Sequence, residues 1–216
     1  GTSGGPQVRV ERAQIANALV VAEDIYLFDA GNDVQRQLAR AGLAESRIRA
    51  IVLSHHHLDH VADLGPLLIT RWTFGGGPLQ VIGPAGTRAL VDRLIAAAAP
   101  VTLAGYPTGG PARPTLEQLV EVIELPPDLA TPQIVLEAGP LRVSAVGTDH
   151  YQSPPSIPLA AMPQALAFRI ETGARTIVWT GDSGGSPRLA ALVAGADLLV
   201  SEVVEGEAIA AALAVQ

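Results

Sequence analysis

Ser54-His55-His56-His57-Leu58-Asp59-His60 packs four of the chain's five histidines into seven residues. Just upstream, Ala50-Ile51-Val52-Leu53 is apolar, short and β-branched, the pattern of a buried strand. Downstream, Val61 to Ile69 places Val61, Leu64, Leu67 and Leu68 at roughly helical spacing. The histidines therefore fall on a loop between a core strand and a helix, where a rigid scaffold presents reactive groups. A His-x-His spacing can turn two imidazoles toward one point, and Asp59-His60 can supply a second point beside it. Imidazole nitrogen and carboxylate oxygen suit zinc, with manganese and iron as options. A lone histidine is more often packed or solvated, and a purification tag is a longer run at a terminus. A mixed run behind an apolar strand fits neither description, and so much crowded imidazole and carboxylate calls for a cation.

Composition bounds the rest. A chain of 216 residues can bury a sizeable core, and we expect one domain over residues 1–216. Hydrophobic residues make up 48% and charged residues 16%, so the composition is not that of a disordered chain. No apolar run is long enough to span a bilayer, because Asp92, Arg93 and Pro100 break the longest one. The net charge of −7 argues against general affinity for nucleic acid phosphates. All fourteen basic residues are arginine. Without cysteine there is no disulfide framework and no thiolate ligand. The first residue is Gly1, so the compartment stays open: cytoplasmic, or periplasmic or secreted if a signal peptide was removed.

Further segments join the histidine run to form a recognisable series. They are Phe28-Asp29-Ala30-Gly31, Ile82-Gly83-Pro84-Ala85-Gly86, Thr148-Asp149-His150, Thr180-Gly181-Asp182-Ser183 and Asp197-Leu198-Leu199-Val200-Ser201-Glu202. In order and spacing, this series resembles the metallo-β-lactamase superfamily over nearly the whole chain. It is most similar to the branch of tRNA 3′-processing endonucleases and arylsulfatase-like enzymes. The resemblance implies an α+β fold, an αββα sandwich of two mixed sheets flanked by helices. It implies metal ligands at His55, His57 and His150 for one site. Asp59 and His60 would begin a second site, and Asp182 would bridge the two. His56 is left free by the motif, and Asp29 either helps its turn or lies near the metals.

A reading along the chain gives strands at Val8 to Val10, Ile15 to Ala22, Ile25 to Phe28, Ile51 to Leu53, Leu79 to Ile82, Ile134 to Glu137, Leu141 to Val146, Ala165 to Ile170, Thr176 to Trp179 and Leu198 to Val200. Helices are expected at Asp33 to Ala41 after an Asn32 cap, at Thr87 to Ala99 with Pro100 as its stop, at Thr115 to Glu121, at Leu189 to Val193 and at Ala208 to Ala214. Arg71-Trp72-Thr73-Phe74, next to a glycine run, reads first as packing of a helix end. Residues 101–131 read as an insertion or lid. In the tRNA-processing relatives this region is a basic arm, whereas here Arg113 faces Glu117, Glu121, Glu124 and Asp128. The loop Tyr151 to Pro163 is a candidate pocket wall.

The implied chemistry is metal-assisted hydrolysis, with one or two zinc ions per chain and manganese or iron as alternatives. Two cations about 3.5–4 Å apart can hold a hydroxide that is formed near neutral pH. Asp59 would orient this metal-bound hydroxide. One departure stands out: no histidine follows His150, although the family's second metal normally receives one. Either the chain is incomplete at its C-terminus or the second site is weak, with Glu202 and Glu205 as substitutes. The expected substrate is a small molecule: an ester, lactone, sulfate ester or phosphodiester. Nucleic acid is an unfavoured partner, given the acidic arm and the net charge, so tRNA 3′-end processing ranks second. Antibiotic hydrolysis is disfavoured by Asp182 at the bridging position and by the missing cysteine. A diiron redox protein would want a carboxylate where Leu58 stands. A non-catalytic module that keeps the fold is the alternative from another class. The oligomeric state stays open, with a dimer among the options.

Overall fold

The computed structural model describes residues 2–105, 113–151 and 163–203. The first half builds a five-stranded sheet: β1 (Asn17–Val21), β2 (Asp24–Phe28), β3 (Ile48–Val52), β4 (Leu79–Gly83) and β5 (Val120–Glu124), side by side in that order. β1 runs antiparallel to β2, and the next three pairings are parallel. The second half builds another sheet from β6 (Gln133–Ala138), β7 (Leu141–Thr148), β8 (Ala165–Glu171), β9 (Thr176–Trp179) and β10 (Leu198–Val200). Here only the β9–β10 pair is parallel. Both sheets are mixed, as expected.

Side-chain alternation sorts these strands into layers. Ile25 and Leu27 of β2 face one way. They pack with Val34 and Leu38 of α1 (Val34–Arg40), Leu64, Leu67 and Leu68 of α3 (Leu64–Thr73), and Val91 and Ile95 of α4 (Thr87–Ala97). Tyr26 and Phe28 face the other way, into a core shared with Val143, Ala145, Leu166, Phe168 and Trp179 of the second sheet. Phe28 meets Phe168 and Trp179 edge-on, with ring centroids 5.9 and 5.4 Å away. The outer face of the second sheet is covered by α7 (Pro187–Val193), whose Leu192 packs on Val146, Ala167 and Val178. The order is helix, sheet, sheet, helix. Sheets with one apolar face toward helices and the other toward a partner sheet have few other arrangements that bury both.

Several local expectations are corrected. Val8 to Val10 is not a strand; Val8 and Val10 lie exposed. The helix after Gly31 is preceded by Asp33, not capped by Asn32; Asp33 is left-handed and its carboxylate accepts from Arg36 and Gln37. The run from Val61 divides into α2 (Leu58–Val61) and α3. Pro100 opens a further helix, α5 (Ala99–Ala104), since the first turn has no use for a proline's missing N–H. Thr115 to Glu121 is a single turn, α6 (Leu116–Leu119), with a Thr115/Gln118 capping box, and the chain then enters β5. Residues 106–112, most of the Tyr151 to Pro163 loop, Glu205 and the expected helix at Ala208 to Ala214 lie outside the described residues. Among the described residues, no helix is long and apolar enough to cross a membrane.

Candidate metal centre

The loops that follow β2, β3, β7 and β9 meet at one edge of the sandwich. They bring Asp29, the 54–60 run, His150 and Asp182 together. Two strand ends are tied across the sheets: Leu166 N donates to Ser54 O at 3.0 Å. Gly181 (φ 56) sits so close to Ser54 that a Cβ there would lie 2.8 Å from the Ser54 Cβ. Only glycine combines that backbone with that approach.

His55, His57 and His150 converge. His55 Nε2 lies 3.0 Å from His57 Nδ1, and His150 Nε2 lies 3.1 Å from the same nitrogen. One nitrogen from each of these rings falls within 4.8 Å of the others, and the same holds for a second group, His55, His60 and Asp182. Asp182 reaches toward both, 3.3 Å from His60 Nε2 and 4.0 Å from His150 Nε2. Asp59 stands at the edge of the second group, its Oδ2 3.7 Å from His60 Nε2 and accepting from Gly5 N at 2.7 Å. His57 is exposed while His55 and His60 are buried, so the cluster opens to solvent on one side.

The buried hydrogen bonds fix the tautomers. Asp29, wholly buried, accepts from the Ser54 amide and hydroxyl, both at 2.7 Å, and from His60 Nδ1. With its proton given to Asp29, the Ser54 hydroxyl accepts from His55 Nδ1 at 2.9 Å. His55 and His60 both carry a proton on Nδ1 and turn Nε2 into the site. Burial and the charge of His60 push His55 down to about 2, so it stays a neutral donor. Burial alone would lower His60 as well, but Asp182 and Asp29 outweigh it and raise it to about 10. Burial likewise works to raise Asp182, yet His60, His55 and His150 hold it below the usual carboxylate range. Glu202 is raised by burial and by the nearby charge of Asp182, and it accepts from Ser183 N at 2.8 Å.

These residues fit a bound cation. His60 Nε2 is buried without a hydrogen-bond partner, facing carboxylates on two sides. Ring nitrogens of His55, His57 and His150 crowd at about hydrogen-bond distance, an arrangement that a shared cation can occupy. The donor set is imidazole and carboxylate throughout. Glu202 joins neither donor group among the described residues. His56 turns away to Thr87, with Nε2 2.9 Å from its hydroxyl oxygen.

Two participants, Gly5 and Thr87, carry no signal in the sequence, and a third, Tyr151, opens the loop expected as a pocket wall. Gly5 reaches Asp59 across 54 positions. Thr87 holds His56, and Tyr151 places its ring 4.9 Å from that of His57 and 5.2 Å from that of His150. Burial pushes the Tyr151 phenol up to about 12. The signal for Tyr151 is its position directly after His150.

Comparison with known proteins agrees with this architecture. Residues 25–207 match the β-lactamase superfamily domain. The chain is 35% identical over 201 residues to a protein named Ribonuclease Z from Mycobacterium sp. (strain KMS), covering 92% of this chain and 65% of that protein. It is 30% identical over 211 residues to Ribonuclease Z from Mycobacterium marinum, covering 96% of this chain and 70% of the relative. Among solved structures, the short form of human tRNase Z superposes with a TM-score of 0.69 at 24% identity, covering 96% of this chain and 77% of that one. The metallo-β-lactamase fold protein YhfI from Bacillus subtilis gives 0.65 at 24% identity, covering 92% and 66%. The chain belongs to the β-lactamase superfamily and has the metallo-β-lactamase fold. It spans 65% of the length of the first of these curated relatives.

The expectation of a small-molecule substrate, with nucleic acid unfavoured, is corrected by these relatives, which carry the name of a ribonuclease. Net charge alone does not exclude a nucleic acid partner. A net charge of −7 is a whole-chain sum that counts the buried Asp29 and the clustered Asp59 and Asp182 together with the solvent-facing carboxylates. Carboxylates gathered around a cation site do not present that charge to a substrate.

Proposed function

We propose that this chain is a metal-dependent hydrolase that cleaves a phosphodiester bond in RNA, of the kind that processes the 3′ end of precursor tRNA. The observation that carries the hydrolase reading is Asp182, standing between His60 and His150 and within reach of both donor groups. The RNA reading is supported by relatives named Ribonuclease Z at 30–35% identity over more than nine tenths of this chain.

In this reading His55, His57 and His150 hold one cation, and Asp59, His60 and Asp182 the other. Zinc is the first choice, and manganese or iron the alternatives. Cations there would supply a nucleophile from water at neutral pH and offset the charge that develops on the attacked phosphoryl group. The chain's own residues supply geometry. Gly5 N–H fixes Asp59 Oδ2, which leaves Oδ1 to accept a hydrogen bond from the attacking water and aim it. Asp29 and Ser54 orient His60 and His55, so that each offers Nε2 rather than Nδ1.

The test is a precursor tRNA with a 3′ extension, incubated with protein titrated with zinc or manganese. The proposal expects cleavage at a defined position that depends on the metal and is lost with Asp59→Ala. Metal-saturated protein that leaves the RNA intact but hydrolyses a chromogenic ester would overturn the RNA reading. Failure on both substrates would overturn the hydrolase reading.

A further inference from the structure

The middle histidine of the run is the one whose spacing leaves it outside the donor groups, and it is tied to two other loops. Thr87 is fully buried, and its hydroxyl donates to Pro84 O at 2.7 Å. A hydroxyl has one proton to give, so in the 2.9 Å contact with His56 Nε2 the nitrogen is the donor. His56 N donates to the Tyr151 hydroxyl at 3.4 Å, and Tyr151 directly follows His150. The turn that receives His56 is itself anchored. Glu124 Oε1 accepts from Gly86 N at 2.7 Å and Arg88 N at 2.9 Å. Gly86 is left-handed (φ 99) and its missing Cβ would stand 3.6 Å from the His56 ring, so the imidazole lies against the turn.

Residues 54–57 belong to no helix or strand, so their positions are set from outside. Ser54 is fixed by Asp29 and Leu166, and His60 by Asp29 and Ala30. Between those two anchors lies the segment that carries both His55 and His57. Outside the donor groups themselves, its side-chain anchor to a neighbouring element, among the described residues, is the bond from His56 to Thr87.

We propose that His56 is a positioning residue: its Nε2–H bond to Thr87 locks the loop so that His55 and His57 meet His150 at ligand separation. The inference rests on the metal-centre reading and deepens it. Ligand sets tolerate displacements of only about 0.5 Å, so a loop released at its midpoint is enough to weaken the site.

The test compares His56→Gln, which keeps a terminal N–H donor, with His56→Leu, which keeps bulk and loses the donor. Thr87→Val removes the acceptor without touching the histidine run, and Thr87→Ser restores it. Zinc affinity is measured by chelator competition and ligand geometry by the visible spectrum of the cobalt(II) form, at a temperature where circular dichroism shows every variant folded. The proposal expects His56→Leu and Thr87→Val each to weaken zinc binding by about 10–100-fold, as outer residues that orient ligands do. His56→Gln and Thr87→Ser should stay near the parent, and the double variant His56→Leu/Thr87→Val should be no weaker than either single one. Parent-like affinity in both His56→Leu and Thr87→Val would overturn it, as would His56→Gln as weak as His56→Leu. If His56→Leu does not fold, Thr87→Val and Thr87→Ser carry the test. A parent chain that binds no zinc would defeat the metal-centre reading and this proposal with it, whereas loss confined to the variants separates the two.

Discussion

Asp29 stands at φ 61, a left-handed backbone that few residues other than glycine, asparagine and aspartate tolerate. Burial raises the pKa of its carboxyl, and the bonds from His60 and Ser54 pull it back only in part. Asp29→Asn keeps the shape and suits the backbone, but sets an amide against donors that need an acceptor. We expect zinc affinity to fall by about 10–100-fold, read by chelator competition, because His60 and His55 lose the bonds that orient them. Asp182→Asn addresses the donor set itself. It should lower RNA cleavage far more than the melting temperature, since Asp182 is half-buried at the site and belongs to none of the hydrophobic clusters. Equal turnover per folded molecule would remove Asp182 from the proposed centre.

At the scale of elements, the site depends on strand ends held in contact. Gly181 lets the turn after β9 approach Ser54 at the end of β3, and Gly181→Ala meets both a left-handed backbone and a close Cβ. It should destabilise by more than about 1 kcal/mol in urea unfolding, and zinc binding should weaken in the folded fraction. Parent-like stability would show that the two loops can part without cost. Elements with strong local patterns were legible in the sequence: β2, β3, β4 and β7 to β9 are β-branched or alternating runs next to turn residues. β5 was missed although Val120-Glu-Val-Ile-Glu alternates, because the Thr115/Gln118 cap signals a helix that lasts one turn. Pro100 reads as a stop because proline breaks a helix interior, whereas it lies in the first turn of the next helix. At the site, residues sharing a motif were legible through spacing. The partners that hold them were not, since Gly5 and Thr87 arrive by contacts 54 and 31 positions apart that leave no local pattern, whereas Tyr151 adjoins His150 in the expected pocket wall.

The whole molecule sets two sheets so that loops from both halves close on one edge, with each half contributing donors to both groups or to the bridge between them. The first half supplies the 54–60 run, and the second supplies His150 and Asp182. The second group draws on His60 and Asp182, shares His55 with the first, and has Asp59 only at its edge, with one carboxylate oxygen already held by Gly5 N. We therefore expect unequal affinities in this chain, the three-histidine group binding first, and activity that rises with added metal until the weaker site fills. Calorimetric titration of metal-free protein checks this; two indistinguishable tight sites would contradict it. Anomalous diffraction at the zinc edge, from crystals grown with zinc, measures directly whether these side chains form a metal centre. A peak is expected about 2.0–2.1 Å from nitrogens of His55, His57 and His150, with a second, weaker one beside His60 and Asp182. A zinc-saturated crystal with no anomalous peak within ligand distance of His55, His57 and His150 would contradict that expectation.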